Sequence, residues 1–165
     1  MQSLRTLTVS PYGVSDLAEL RDLHALSFKA LASGSHSAEQ ILAHIRFMNT
    51  DDYAADVARS NVLCARDAHG RLQATAGWLR MDSAANTARI RKVFVHPDMA
   101  GKGLGRRMVT ATEIAAQSQG AEDFFVRANI NAKGFYKRLG YAEIKPGEMP
   151  VSGGINLPVM FMHKG

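Results

Sequence analysis

The first third of the chain shows apolar positions with the period of a helix. Apolar residues recur every three or four positions from 16 to 32, which predicts a first helix over that range. Ser37 and Gln40 have the spacing of a capping box, and apolar positions after them lie on one face, which predicts a second helix. Residues 3–9 alternate weakly and predict a first strand, whereas residues 50–60 are polar and indicate a connection.

From residue 61 onward the pattern changes to that of strands. Two runs on either side of a turn at residues 68–70 predict a β-hairpin, and residues 82–86 predict the next turn. The consecutive apolar residues Val93, Phe94 and Val95 are typical of a strand that is covered on both faces. Pro97 ends this strand, because proline has no N–H group for a ladder hydrogen bond.

The last third alternates helices with strands. Its pattern predicts, in order, a helix over 105–119, a strand over 123–128, a helix over 131–139, and strands over 141–145 and 157–163. A strand–helix–strand run implies a parallel pair with a right-handed crossover, and the hairpins imply antiparallel neighbours. We therefore expect the α/β (α+β) class: a central, mostly antiparallel sheet with one splayed parallel strand pair and helices on both faces. Residues 1–165 are expected to form a single domain.

A glycine-rich loop connects the strand that ends at Val95 to the helix that follows. Gly101, Gly103 and Gly105 alternate with Lys102 and Leu104, so the backbone can turn tightly and approach a ligand. The start of the following helix offers free N–H groups to an anion. The spacing fits neither a dinucleotide fingerprint nor a nucleoside-triphosphate loop. The loop is thus another kind of pyrophosphate site or simply a strand-to-helix turn.

The composition excludes some classes of protein but does not identify one function. The chain has 165 residues, 46% of them hydrophobic, and a formal net charge of +5, which fits an anionic ligand such as a nucleotide cofactor. The single cysteine, Cys64, excludes an internal disulfide and lies in a predicted strand. No signal peptide, membrane-spanning run or metal-ligand spacing is found, so a cytoplasmic protein without a metal is expected, with no membrane or nucleic-acid partner.

Two sequence blocks carry a resemblance to a known family. The stretch VFVHPDMAGKGLGRRM is similar to the acetyl-CoA-binding signature of the GCN5-related N-acetyltransferase (GNAT) superfamily, with Gly103 and Gly105 at its two small positions. Ala100 stands where the family usually has Arg or Gln. Downstream, NINAKGFYKRLGY matches a second family pattern. The resemblance implies an N-acetyltransferase that moves an acetyl group from acetyl-CoA to a primary amine by direct attack.

The resemblance also implies which residues form the site. Tyr136 matches the family tyrosine that protonates the departing thiolate, and Asn129 matches an asparagine that contacts the coenzyme. Backbone groups of Val93 and Val95 are implied to pair with the pantetheine arm. The residues expected to bind the coenzyme are Val93, Phe94, Val95, Ala100, Gly101, Lys102, Gly103, Leu104, Gly105, Arg106, Arg107, Asn129 and Tyr136. Because Ala100 lacks a polar side chain, we expect weakened coenzyme affinity.

Other features of the reaction stay open at this point. The attacking amine must be neutral, yet Arg89 stands where many relatives carry a glutamate base, so no base is assigned. The acceptor is a small-molecule amine, a peptide N-terminus or a lysine, and a homodimer through the C-terminal strands is compatible with the pattern. The alternative to an enzyme is a regulatory module that has the same fold and binds acyl-CoA without turnover. A nucleic-acid binder is favoured by charge alone.

Overall fold

The protein is described here from a computed structural model, which covers residues 4–165, and its centre is a seven-stranded mixed sheet. The strands lie in the order β1-β2-β3-β4-β5-β7-β6, and only β4 and β5 are parallel. The strands are β1 (Thr8–Pro11), β2 (Leu63–Arg66), β3 (Leu72–Met81), β4 (Ala84–Val95), β5 (Asp123–Asn129), β6 (Ala142–Pro150) and β7 (Asn156–Lys164). This confirms the predicted mixed sheet with one parallel pair.

Five α-helices accompany the sheet in the described part of the chain. They are α1 (Leu17–Ala32), α2 (Ala38–Met48), α3 (Asp51–Arg59), α4 (Leu104–Ser118) and α5 (Lys133–Arg138). The predicted capping box starts α2: Gln40 N–H donates to Ser37 Oγ at 3.0 Å, and Ser37 N–H donates to Gln40 Oε1 at 3.0 Å. Helix α4 ends before Gly120, whose φ of 95° is accessible to glycine at little cost.

The helix α3 corrects the prediction of a polar connection over residues 50–60. Thr50 caps its N-terminus by accepting a hydrogen bond from Tyr53 N–H at 3.2 Å. Asp51 and Asp52 lie in its first turn, where negative charge complements the helix dipole. Tyr53 and Val57 are four residues apart and both buried. The helix is therefore amphipathic, although its apolar stripe is only two residues long.

Three strand boundaries also differ from those predicted. Residues 4–6 form a 3₁₀ turn, and the first strand begins at Thr8 and includes Pro11, which an edge strand tolerates. Strand β4 begins at Ala84, inside the predicted turn. Strand β6 extends to Pro150, into the predicted loop, because it pairs with β7 along its whole length. At Pro11 and in β4 and β6, pairing with a neighbouring strand outweighs the local preference for a turn.

The two faces of the sheet carry separate cores. Helices α1, α2 and α3 pack on one face around Leu20, Phe28 and Tyr53. Helices α4 and α5 pack on the other face, around buried residues such as Val109 and Tyr136. Helices thus cover both faces, as predicted. Among the helices of residues 4–165, none is both long and apolar enough to span a bilayer.

Candidate active site

The site forms where the two parallel strands separate. Strands β4 and β5 pair only from Thr87 with Asp123 to Ile90 with Val126. Beyond Ile90, β4 pairs with β3 alone, whereas β5 pairs with β7 alone. The gap between the two strands opens into a cavity of about 500 Å³. Because the strands no longer bond to each other, their backbone groups in the gap are available to a ligand.

A bulge in β4 lies at the start of this gap. Lys92 has a φ of 57°, a conformation that side-chain-bearing residues rarely adopt, and the register with β3 shifts at the same point. Thr75 holds the bulge in place, because its hydroxyl donates to the carbonyl oxygen of Lys92 at 2.7 Å. The bulge re-aims the backbone of β4 next to the cavity, as bulges near active sites commonly do.

Buried polar side chains from α1 and α3 support the bulge. Since the Thr75 hydroxyl donates to Lys92, its oxygen accepts a hydrogen bond from His24 Nε2 at 2.8 Å. His24 Nδ1 then accepts from the hydroxyl of Tyr53. This chain requires a neutral His24, and burial together with the charge of Lys92 lowers the pKa of His24 well below its ordinary value. The hydrogen bonds therefore run in one direction: Tyr53 donates to His24, His24 donates to Thr75, and Thr75 donates to the backbone carbonyl of β4.

The glycine loop follows β4 and leads into α4, and none of its residues is among those that line the cavity. Gly101 and Gly103 have φ values of 73° and 84°, and Gly103 is the N-cap of α4. A Cβ on Gly105 would lie 3.2 Å from the ring of Phe135, so this position leaves little room for a side chain. The N–H groups of the first turn of α4 have no helical carbonyl to bind, so they are free to donate to an anion. Ala100 is exposed and extended.

The basic side chains of the loop have different surroundings. Lys102 and Arg106 are exposed beside the glycines. The guanidinium of Arg107 instead donates to the backbone carbonyls of Leu4 and Leu7, so this residue also anchors the N-terminal segment. Its part in anion binding stays a prediction.

Tyr136 and Asn129 both line the cavity, as expected from the sequence. Tyr136 on α5 is 5% exposed, and its ring packs edge-to-face on Phe135 and Tyr141. Burial raises the pKa of its hydroxyl above the ordinary value, so Tyr136 stays protonated near neutral pH. Asn129 ends β5, and its Oδ1 accepts a hydrogen bond from Asn131 N–H at 3.0 Å. Each of these two side chains therefore makes a contact within the fold and also lines the cavity.

Charged side chains line the opposite side of the cavity, and the sequence did not indicate them. Asp56 Oδ2 contacts Arg91 Nη2 at 2.6 Å and Lys92 Nζ at 2.8 Å, and Asp56 Oδ1 contacts Arg59 Nη2 at 2.7 Å. Burial acts to raise the pKa of Asp56, but these cations outweigh it and hold the pKa below its ordinary value. Burial also lowers the pKa of Lys92 to about 8, although Asp56 opposes this.

A general base is not supplied at the position where relatives often carry glutamate. Arg89 occupies it, lines the cavity, and has its pKa lowered to about 9 by burial and by the charges of Arg91 and Arg127. His44 also lines the cavity, but burial and the charge of Lys92 lower its pKa to about 4. Asp56 is engaged by three cations.

The residues that sequence analysis missed depend on α3 and on long-range packing. Because residues 50–60 were interpreted as a connection, neither Tyr53 nor Asp56 was expected at the site. A local signal existed in Thr50, followed by two aspartates and by apolar residues four positions apart. Nothing local indicates that Arg91 and Arg127 line the same cavity, because this follows only from the pairing of β4 with β5.

Comparison with known proteins agrees with this geometry. A family model described as an acetyltransferase (GNAT) domain matches residues 33–163. The chain is 30% identical over 114 residues to an uncharacterized N-acetyltransferase of Chlorobaculum tepidum, a match covering 69% of this chain and 61% of that protein. The matched stretch thus spans about three fifths of that relative's length.

Solved structures resemble the whole chain. A GCN5-related N-acetyltransferase from Rhodopseudomonas palustris superimposes with a TM-score of 0.84 at 25% identity, covering 100% of this chain and 98% of that one. The PaiA N-acetyltransferase from Thermoplasma acidophilum, solved in complex with coenzyme A, gives a TM-score of 0.78 at 19% identity, covering 96% and 98%. The second similarity shows the fold alone. Together with the family model, these findings confirm the predicted family: the chain belongs to the GNAT family of acetyltransferases.

Proposed function

We propose that the protein transfers the acetyl group of acetyl-CoA to a primary amine by direct attack, with Tyr136 as the general acid. The observation that carries the proposal is the gap between β4 and β5, which opens into a cavity lined by Val93, Phe94 and Tyr136. A thioester lying along Val93–Val95 would have its sulfur near α5 and its carbonyl near the bulge at Lys92. The coenzyme-bound structure of the Thermoplasma relative supports coenzyme A as the ligand of such a fold.

The coenzyme contacts follow from the loop and the two strand ends. The diphosphate would bind the first N–H groups of α4, since these groups and the helix dipole favour an anion. The pantetheine arm would pair with the edge of β4 that β5 leaves free. The proposed contacts are Val93, Phe94, Val95, Ala100, Gly101, Lys102, Gly103, Leu104, Gly105, Arg106, Arg107, Asn129 and Tyr136. Since most of these are backbone contacts, Ala100 would weaken coenzyme affinity without abolishing it.

The chemistry needs a proton donor for the leaving thiolate. Tyr136 holds its proton near neutral pH because burial raises its pKa. Burial also raises the pKa of a thiol, as it does elsewhere in this protein for Cys64, to about 11. Donation from the phenol to the departing sulfur is therefore favoured over release of a free thiolate into the cavity. The tetrahedral intermediate would be stabilised by a backbone N–H group of β4.

Turnover of acetyl-CoA with a panel of amines, compared between the wild type and Tyr136→Phe, tests the proposal. We expect kcat to fall about 100-fold, a typical contribution of a general acid. The matched control is Tyr141→Phe, because the hydroxyl of this neighbouring buried tyrosine donates to Glu113 at 2.8 Å and not into the cavity. Calorimetric titration with acetyl-CoA should give affinities within about twofold for all three proteins.

Three outcomes would contradict different parts of the proposal. Equal kcat values for Tyr136→Phe and the wild type would remove Tyr136 from the mechanism. Binding of acetyl-CoA without turnover of any amine would favour the non-catalytic, acyl-CoA-binding module. Absence of acetyl-CoA binding up to about millimolar concentration, weaker than the micromolar to millimolar KM range of enzymes, would overturn the assignment of the glycine loop.

A further inference from the structure

The acceptor side of the cavity carries a surplus of positive charge. Five cationic side chains line the cavity but only two carboxylates, Asp52 and Asp56, do so; the cations are Arg59, Arg89, Arg91, Lys92 and Arg127. Asp56 already pairs with Arg59, Arg91 and Lys92. Within residues 4–165, no carboxylate forms an ion pair with Arg89 or Arg127. An excess of this size in a partly buried cavity favours binding of an anion.

Several hydrogen-bond donors of these arginines are buried without an acceptor. The side chain of Arg91 is 10% exposed, and its Nε and Nη1 atoms have no partner in the described chain. Arg89 Nε is also buried and has no hydrogen-bond partner in the described chain. Buried polar groups are normally hydrogen-bonded, and charged ones especially so. Water can accept these hydrogen bonds, but only an anion also compensates the charge.

The topology brings three guanidinium groups to one face of the sheet. Ile90 and Val126 belong to the core beneath α4, so the residues on either side of them in β4 and β5 project from the opposite face. These neighbours are Arg89 and Arg91 in β4 and Arg127 in β5. The two strands separate directly after Ile90 and Val126. The arginines therefore surround the acceptor end of the gap in which the thioester is proposed to lie.

We propose that the acceptor is a small amine with a carboxylate close to its amino group, as in an amino acid, and that Arg89, Arg91 and Arg127 bind this carboxylate. The inference rests on the proposed function and narrows its acceptor class. Arg91 is two residues from Val93, at most about 7 Å along the chain, so only a few bonds separate the carboxylate from the attacking nitrogen. Lysine side chains and internal peptide amines lack such a carboxylate.

The same charges explain how the amine reacts without an assigned base. Nearby cations disfavour the ammonium form and lower the pKa of a bound amine. With one ligand carboxylate bound, the cavity holds three anionic groups, the ligand carboxylate, Asp52 and Asp56, against five cationic side chains. The amine therefore releases its proton to water more readily in the cavity than in solution, and the neutral nitrogen attacks the thioester carbonyl.

The test compares acceptors that differ only in the carboxylate. Coenzyme A release is measured with L-phenylalanine, L-phenylalaninamide and phenethylamine, and with the same three forms of leucine and methionine, at several pH values to allow for the different amine pKa values. We expect kcat/KM to be at least about tenfold higher for the carboxylate forms, the effect of one charge-assisted contact. A preference for the amides or for phosphoethanolamine over all amino acids would overturn the proposal.

Substitutions of the arginines test whether these residues cause the preference for a carboxylate. Arg89→Gln and Arg127→Gln each remove a guanidinium without breaking an ion pair, so the fold should tolerate them. We expect KM for the preferred amino acid to rise about tenfold while KM for acetyl-CoA is unchanged. Arg46→Gln is the control, because it removes the same charge from an exposed position of α2 that does not line the cavity. Equal KM values for all three variants would overturn the proposal.

A binding measurement separates this inference from the acetyltransferase activity itself. Thermal shift with the same amino acids and amides, in the absence of acetyl-CoA, reports on the anion site whether or not turnover occurs. Stabilisation by the carboxylate forms, lost in Arg89→Gln and kept in Arg46→Gln, supports the site even if no amine is acetylated. No stabilisation together with equal turnover of carboxylates and amides contradicts the site while leaving the transferase intact.

Discussion

The two sides of the gap between β4 and β5 are built from different kinds of chemical groups. The coenzyme side consists mainly of backbone: the free edge of β4, the glycine loop and the first turn of α4. The acceptor side consists of charged and polar side chains, among them Asp56, Arg91 and Lys92. We propose that the first side recognises the coenzyme through N–H groups and that the second sets which amine can enter.

This difference determines how each side tolerates substitution. A backbone site keeps its N–H groups when a side chain changes, so we expect Ala100, in place of the usual Arg or Gln, to weaken coenzyme affinity without abolishing it. A site made of buried charges depends on every member, because removing one carboxylate leaves its cationic partners unpaired. We therefore expect single substitutions on the acceptor side to affect stability more than those on the coenzyme side.

The largest effect is expected for Asp56→Asn. The side chains of Asp56, Arg91 and Lys92 are only 13%, 10% and 9% exposed, so the variant leaves two nearly buried cations without a counter-charge. We expect the free energy of unfolding to fall by about 3 kcal/mol, measured by urea denaturation. Asp52→Asn, an exposed carboxylate in the same helix, is the control and should change it by less than about 0.5 kcal/mol. Similar losses for the two variants would show that the ion pairs of Asp56 do not stabilise the fold.

The next effect is a sensitivity to acid that comes from buried histidines. His24, His36 and His44 are buried on or between α1 and α2, and burial lowers the pKa of each. Below about pH 6.5 the unfolded chain therefore binds more protons at these histidines than the folded protein does. The free energy of unfolding then falls as the pH falls, by up to about 1.4 kcal/mol per pH unit for each histidine that the fold keeps neutral, and for His44 this continues to about pH 4.

Urea denaturation at pH 7 and pH 5 measures this dependence. His24→Gln removes one of the three groups, so the loss of stability between the two pH values should be smaller in the variant by an amount of up to about 1.4 kcal/mol per pH unit. An unchanged pH dependence would show that His24 is not kept neutral by the fold. His69→Gln, an exposed histidine in the β2–β3 turn, should reproduce the wild-type pH dependence.

The smallest effect is expected on the coenzyme side, for Gly103→Ala. Gly103 and Gly120 have φ values of 84° and 95°, in which alanine is strained by about 1–2 kcal/mol. Gly120→Ala is therefore a control with the same strain at the other end of α4. Both variants should lose similar stability, but only Gly103→Ala should weaken acetyl-CoA binding, by about fivefold in calorimetry. Equal affinities would mean that the loop conformation does not contribute to coenzyme binding.

Much of the fold and the coenzyme side could be predicted from the sequence, because their signals are local. The capping box of α2, the glycine loop and the β2–β3 hairpin each occupy a few consecutive residues. The helix α3 was missed because its polar surface outweighs an apolar stripe of two residues. The C-terminal half of β6 was missed because its pairing partner in β7 determines it, while its own residues favour a loop.

The sequence by itself determined the family, most of the elements and the glycine loop that is proposed to bind the coenzyme, since glycine spacing and the start of a helix are local signals. Only the tertiary structure decided the acceptor side. Asp56, Arg91 and Arg127 lie on α3, β4 and β5, and no periodicity relates residues so far apart in the chain. They meet because β4 and β5 separate after four paired positions and α3 packs beside that opening.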